Sequence, residues 1–355
     1  QIQNARRILE ICIANSGEDP LDLVISALDK LAKEHQLTND LFEVACPATP
    51  NKFQTLNTKA KEEIESLLKD NIDFKNISGE FLHTLFEVLS AESSKSDKGQ
   101  YFTPMEVAEL CAGLVDYKSN ISICDPACGS GMFLEKVWKN LREMNVQGSL
   151  YGFDISERSL KVSRCLNHLI MNDSCEYRRT DSLDVLKKFT NGTEIGLETN
   201  KGKFDVIITN PPFAGDAKYS YAELNYRVEK ELGLTEKDCL FLELCIDLLN
   251  EDGQLIIILP ENKISGKKFS KLRSFLLDLI IVDSVISLHP YTFRPFTHQK
   301  TSILVARKSK SQGKNVFFIK SENPGKTSNG SKSKSRSDYK EILSAYKTRA
   351  IHERN

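Results

Sequence analysis

The sequence has no run of roughly eighteen apolar residues, the length a helix needs to cross a bilayer, and no charged-then-apolar leader at its start. No membrane partner is expected, and a soluble, cytoplasmic protein is. CxxC pairs are also lacking, and none of the nine cysteines keeps a zinc-like spacing with histidine. No metal site is expected, and the cysteines read as small buried hydrophobes in a reducing compartment. Nor is there an excess of charge of either sign: 48 Lys and Arg face 49 Asp and Glu. A whole-molecule positive field is excluded, so any nucleic-acid surface must be local or supplied by a partner. No internal repeat occurs. The first residue is Gln1 rather than Met, as expected of a fragment or a trimmed chain.

With 355 residues, 40% of them hydrophobic, the chain can build about two domains with sizeable cores. Over 1–90 the apolar residues recur at helical spacing, as in Leu21, Val24, Ile25, Leu28 and Leu31, which predicts an amino-terminal helical domain. The polar Ser/Lys stretch 91–98 reads as a linker. Over 91–309 short β-branched runs alternate with helical patterns, the signature of an α/β domain. The expected strands are 121–124, 149–153, 176–179, 204–209, 254–259, 281–288 and 302–306. The remainder, 310–355, is rich in Ser, Lys, Gly and Asn and reads as a flexible basic segment ending in a short helix.

The strand 204–209 stops at Asn210-Pro211-Pro212-Phe213. Two consecutive prolines can neither donate to a ladder nor continue a helix, so the backbone after Asn210 is a stiff turn at the strand's carboxyl end, the edge where open α/β sheets bind ligands. A planar amine whose lone pair is delocalised into a ring is a poor nucleophile. If the Asn210 side-chain oxygen and the Pro211 carbonyl accept its hydrogens, electron density returns to the nitrogen, and Phe213 can stack on the base. The aromatic, Pro-rich loop 290–301, with Tyr291, Phe293, Phe296 and His298, is a further expected wall of that pocket.

The strand 121–124 runs into Asp125-Pro126-Ala127-Cys128-Gly129-Ser130-Gly131 and then a helix. Gly129 and Gly131 let backbone pass close under a ligand. The spacing is not GxGxxG and no Walker lysine follows, which points to a nucleoside without phosphates. Asp154, ending the next strand, is placed to accept both ribose hydroxyls, and Asp181 to reach the base of that nucleoside. Upstream, Gly99-Gln100-Tyr101-Phe102-Thr103-Pro104 opens a helix over 105–114, with Thr103 as its cap, Pro104 in the first turn and loose amides, with the Thr hydroxyl, suited to a carboxylate. Tyr219, Tyr221 and Tyr226, interleaved with Lys218, Arg227 and Lys230, are candidate nucleic-acid contacts.

With 99–104, 125–131 and 210–213 in that order, the sequence resembles the modification subunit of type I restriction-modification systems, among the amino-type adenine DNA methyltransferases, from about Ile77 to about Lys308. The resemblance implies a Rossmann-like class I methyltransferase sheet of seven strands, the last antiparallel, with an amino-terminal helical domain. It implies S-adenosylmethionine as donor and adenine N6 in duplex DNA as acceptor. By position, Gln100, Tyr101, Phe102, Thr103, Pro104 and 125–131 would hold the donor with Asp154 and Asp181, while Asn210, Pro211, Pro212 and Phe213 would grip the base. A separate specificity subunit, and with it a restriction subunit, are the implied partners; the carboxyl-terminal region that docks on the former is short or missing here. Competing readings are protein-glutamine or RNA N-methylation, since both offer a planar NH2 to the same tetrapeptide, and a non-catalytic cofactor-binding assembly subunit.

Overall fold

The structure, a computed structural model, describes residues 1–38, 40–47, 49–93, 102–184, 204–213, 226–295, 297–309 and 315–352. By contact the chain divides into two units. One comprises Gln1–Gln100, Gly129–Gly131 and Ser156–Tyr177, the other Tyr101–Cys128, Met132–Ile155 and Arg178–Asn355.

The first unit is helical: α1 (Ile2–Asn15), α2 (Pro20–Glu34), α3 (Leu41–Ala45), α4 (Thr58–Asn71), α5 (Gly79–Ser93) and α8 (Glu157–Ile170). Helix α2 starts where it does because Asp19 accepts the Leu21 amide at 3.0 Å and Pro20 presets the first turn. Its stripe of Leu21, Val24, Ile25, Leu28 and Leu31 is buried with Ile8, Ile64, Leu68 and Phe86. Val162, Cys165 and Leu166 of α8 join the same core. Lys161 pairs with Asp22 at 2.5 Å and Arg158 with Asp19. Helix α5 extends to Ser93, into the stretch read as a linker; 94–101 lie outside the described residues.

The second unit carries β1 (Ile121–Asp125), β2 (Gly148–Asp154), β4 (Phe204–Thr209), β5 (Leu249–Pro260), β6 (Ile280–Ser287), β7 (Thr301–Lys308) and β8 (Phe317–Lys320); β3 (Cys175–Arg179) runs across the division. Its helices are α6 (Met105–Gly113), α7 (Met132–Glu143), α9 (Arg227–Lys230), α10 (Lys237–Leu248), α11 (Glu261–Ser265), α12 (Ser270–Leu277) and α13 (Tyr339–His352). The strand order is β3-β2-β1-β4-β5-β7-β6-β8. Strand β7 is antiparallel to both β5 and β6, as expected for the seventh strand. Ile207, Ile208 and 255–258 are fully buried, which is why these strands read as continuous apolar runs.

Two expectations are corrected. The sheet has eight strands rather than seven, because β8 pairs parallel to β6 from within the stretch read as flexible. The following loop is tied down as well: Asp338 accepts the amides of Glu322 and Asn323, and Ser333 N donates to Gly325 O at 2.8 Å. Its Ser and Asn side chains satisfy the backbone locally, so a composition that reads as disorder builds fixed turns. No helix of the described residues is long and apolar enough to cross a membrane.

Candidate active site

The sheet order places the carboxyl ends of β1 and β4 side by side, at the point where the strand order turns from one direction to the other. Thr209, the fully buried last residue of β4, donates its hydroxyl to Asp125 Oδ1 at 2.7 Å. The Ala127 amide donates to the same oxygen at 3.0 Å. Asp125 Oδ2 is buried and has no hydrogen-bond partner among the described residues. Burial pushes the Asp125 carboxyl up to about 7, against the opposing pull of Thr209 and Ala127 and with a further push from the Asp154 charge. A buried carboxylate oxygen with no partner among the described residues makes Asp125 a candidate to face a cation or a hydrogen-bond donor.

The turn after β1 is fixed from several sides. Cys128 N donates to Phe153 O at 2.9 Å, and Ser182 Oγ to Pro126 O at 2.6 Å. Pro126 and Ala127 thereby act through backbone. Gly129 and Gly131 have φ of +53° and +81°, which glycine alone adopts cheaply. A Cβ on Gly129 would meet nothing within 4 Å, the open space expected beneath a ligand, whereas one on Gly131 would strike the Tyr177 hydroxyl and lie 3.2 Å from Ser163 Cβ. Gly131 is therefore required by its own neighbours. Gly131→Ala is expected to destabilise the protein by about 1–2 kcal/mol from the left-handed backbone alone, read as a lower urea midpoint; an unchanged midpoint would contradict this. Ser130 is half-buried between the two glycines.

At the end of β2, Asp154 is half-buried and its carbonyl accepts the Thr180 amide at 2.9 Å. Asp181 accepts the Leu183 amide at 3.1 Å, a capping contact the sequence reading did not assign to it. Ser156 caps α8 through the Ser159 amide at 3.2 Å, which leaves Asp154 without that task.

Beyond β4, Asn210 Nδ2 donates to Thr103 Oγ1 at 3.0 Å, and Asn210 Oδ1 is buried with no partner among the described residues. The amide is thus oriented: its donor end is engaged and its acceptor end is unsatisfied. Thr103 does not cap α6, as the sequence led one to expect. Pro104 stands at the cap position with no side-chain bond, its carbonyl accepting the Val107 and Ala108 amides, and the Thr103 hydroxyl goes to Asn210 instead. Pro211 is buried; Pro212 and Phe213 are half-buried. Phe293, from the 290–301 loop, meets Phe213 edge-on, ring centroids 6.1 Å apart. Phe102 and Pro104 are half-buried before α6. Gln100, Tyr101 and Phe296 lie outside the described residues.

The tyrosine-rich stretch is corrected in part. Tyr226 is fully buried and donates to Leu183 O at 2.8 Å, and Arg227 spans Glu243 and Asp247 at 3.5 and 3.7 Å over the Phe275 ring. Both are structural, while 214–225, with Tyr219, Tyr221 and Lys218, lie outside the described residues. The sequence reading passed over Thr209 and Ser182. A hydroxyl ending an otherwise apolar strand beside Asn210 was the signal for Thr209; nothing local marked Ser182. All nine cysteines are buried and none is in a disulfide. Among the described residues no three His, Cys, Asp or Glu side chains gather as for a metal ion.

The family model described as N-6 DNA Methylase matches residues 76–355. Among curated proteins, the methylase subunit of the type I restriction enzyme EcoEI of Escherichia coli is 27% identical over 258 residues, 70% of this chain and 50% of that one. The chain thus spans about half the length of this relative. Among solved structures, a modification subunit of a putative type I restriction enzyme from Vibrio vulnificus has TM-score 0.67 at 16% identity, over 98% of this chain and 89% of the other. A putative class I S-adenosylmethionine-dependent methyltransferase from Listeria monocytogenes has TM-score 0.58 at 20% identity, over 90% and 93%.

Proposed function

The chain belongs to the N-6 DNA methylase family, and on that premise we propose that it transfers a methyl group from S-adenosylmethionine to the N6 amine of adenine in duplex DNA. In this reading it is the catalytic part of a modification subunit that works with a separate specificity subunit and, through it, a restriction subunit. The observation that carries the reading is the Oδ1 of Asn210 at the carboxyl edge of β4, buried and without a partner among the described residues.

The residues fit the donor. S-adenosylmethionine, when bound, supplies an electrophilic sulfonium methyl and a neutral leaving group. It is a cationic nucleoside, and Asp125 offers a buried carboxylate oxygen without a partner among the described residues, with Asp154 at the end of the neighbouring strand. Asp154 would accept the ribose hydroxyls and Asp125 would face positive charge, while the turn 125–131 and Phe102, Thr103 and Pro104 would border the methionine end.

The acceptor is held by the next strand. Asn210 Oδ1 and the Pro211 carbonyl would each accept one hydrogen of the adenine amine, raising electron density on N6 as it attacks in line. Phe213, braced by Phe293, would stack on the extruded base. The amine's proton leaves to solvent after transfer. No covalent enzyme intermediate is needed, because positioning and polarisation together supply several kcal/mol of barrier lowering.

Thr103 sets which end of Asn210 faces the base. Thr103→Val keeps the shape but removes the acceptor, so the amide either strands its Nδ2 or turns it toward the amine, where two donors repel. Transfer is expected to fall by about tenfold to a hundredfold, and Thr103→Ser to restore it. Equal rates for Val and Ser would contradict the assignment.

The reading is tested by mass spectrometry of nucleosides from DNA of cells expressing the chain with its neighbouring subunits. N6-methyladenine above the level of an Asn210→Ala control supports it. Methyl groups found only in RNA or on glutamine side chains would overturn it.

A further inference from the structure

We propose that the loop 323–337 is a phosphate-binding strip that engages the backbone of duplex DNA beside the target base, an assignment that rests on the function proposed above. Between Asn323 and Ser337 the chain carries Lys326, Lys332, Lys334 and Arg336 and no acidic residue, in a protein of net charge −1. The concentration of charge is therefore local and not the overflow of a basic chain.

Two observations separate this loop from an ordinary solvated run of charge. The first is that it is held in one shape. Thr327 N donates to Ser331 O at 2.9 Å and Ser333 N to Gly325 O at 2.8 Å, and Asn323 Nδ2 reaches Ser335 Oγ at 3.0 Å. The acids at its two ends are occupied elsewhere: Asp338 accepts from Ser321, Glu322 and Asn323, and Glu322 pairs with Lys320. Lys332, Lys334 and Arg336 are exposed and form no ion pair among the described residues. Three cations are thus kept facing solvent on a fixed backbone frame, so engaging an anion has to order their side chains but not the loop.

The second observation is where the frame is seated. Lys326 Nζ donates to the carbonyls of Thr292 and Arg294 at 3.2 and 3.5 Å. Gly330, with φ of +86°, packs so closely that a Cβ would lie 2.6 Å from Pro295 N and 2.7 Å from the Arg294 carbonyl carbon. Between those contacts stands Phe293, whose ring meets Phe213. The strip is bolted to the loop that braces the base-stacking aromatic. A nucleotide placed against Phe213 carries flanking phosphates of the same strand, and the exposed Ser331 hydroxyl is a further donor for them, while Ser333 and Ser335 hydrogen-bond each other at 3.1 Å.

The test is the salt dependence of binding to a linear DNA duplex by the full chain, comparing wild type with Lys332→Gln/Lys334→Gln/Arg336→Gln. Each phosphate contact contributes about 0.9 to the slope of log affinity against log salt. The triple variant is expected to lose about 2 to 3 from that slope and at least about tenfold in affinity at low salt, with its donor affinity and urea midpoint unchanged. Lys334→Gln alone, which removes one surface cation from a frame held by backbone bonds, is expected to lose about 0.9 and serves if the triple variant folds poorly. An unchanged slope, no measurable DNA binding by the wild type, or a slope change seen only with duplex RNA would overturn the proposal. The outcomes are separable: adenine methylation with an unaltered slope rejects the strip and keeps the enzyme, while a reduced slope without adenine methylation does the reverse.

Discussion

Replacing Asn210 by Ala is expected to lower methyl transfer to adenine by about 100- to 1000-fold, while donor affinity stays within about twofold. The asymmetry follows from the site. Asn210 Nδ2 is engaged by Thr103 and its Oδ1 is buried with no partner among the described residues, so in the proposed reading the side chain's acceptor end is left for the base. The contact matters most as N6 attacks and gains positive charge, because its hydrogens are then stronger donors and an oriented acceptor lowers the barrier. In the proposed reading donor binding draws on Asp125 and Asp154 instead and should be spared. Single-turnover rates with saturating donor, set beside calorimetric donor affinities, check the split. Loss of both together would mean that Asn210 holds the donor or the fold and not the base.

The second large effect is expected at Asp125, and it has opposite signs for stability and for function. In the folded protein burial pushes this carboxyl up to about 7, whereas an unfolded aspartate titrates near 3.9. Below about pH 4 both states hold the proton, and above about pH 7 neither does. In between, the folded state keeps a proton that the unfolded chain has released, so stability falls as pH rises from about 4 to about 7 and the cost stays in place above that. Asp125→Asn removes the ionisation. It is expected to flatten this slope and to raise stability at pH 8 by on the order of 2 kcal/mol, net of the new amide's unsatisfied hydrogens. Urea unfolding at pH 5 and pH 8 measures both. The same substitution should weaken donor binding by about tenfold, since a cation loses its carboxylate partner, and wild-type donor affinity should rise with pH through about 7. A variant less stable at pH 8 with a donor affinity independent of pH would contradict the assignment. This is the trade of stability for function expected where a charge is kept buried for a ligand.

What the sequence made legible was whatever is encoded locally. Apart from β3, where Glu176, Arg178 and Arg179 are polar, the expected strands announced themselves as β-branched or apolar runs, most plainly in β4 and β5, where burial leaves no polar alternation to confuse them. Strand β8 did not. It is four residues long, Phe318 is 71% exposed, and it sits among Ser and Lys, so its only local sign was the run Val316-Phe317-Phe318-Ile319. The loop after it was misread for a related reason, since Ser, Asn and Gly form fixed turns as readily as mobile tails.

At the site, Asn210, Asp125 and Gly129 stood out because prolines, glycines and strand ends are local events. Thr103 was noticed for the wrong task. Its helix-capping role is a local inference, whereas its bond to Asn210 joins residues 107 apart in sequence and follows only from the fold. Asp181 shows the converse, with a capping contact of its own two residues on. The bond between Thr209 and Asp125 spans 84 positions and needs β1 beside β4, an adjacency that strand recognition alone does not provide.

A crystal structure of this chain with a non-reactive analogue of the donor would test the central claim most directly. The account predicts the ribose hydroxyls on Asp154, positive charge facing Asp125 Oδ2, and the position of the transferable methyl open toward Asn210 Oδ1. An analogue bound away from Asp125 and Asp154, or with that position turned from Asn210, would contradict it.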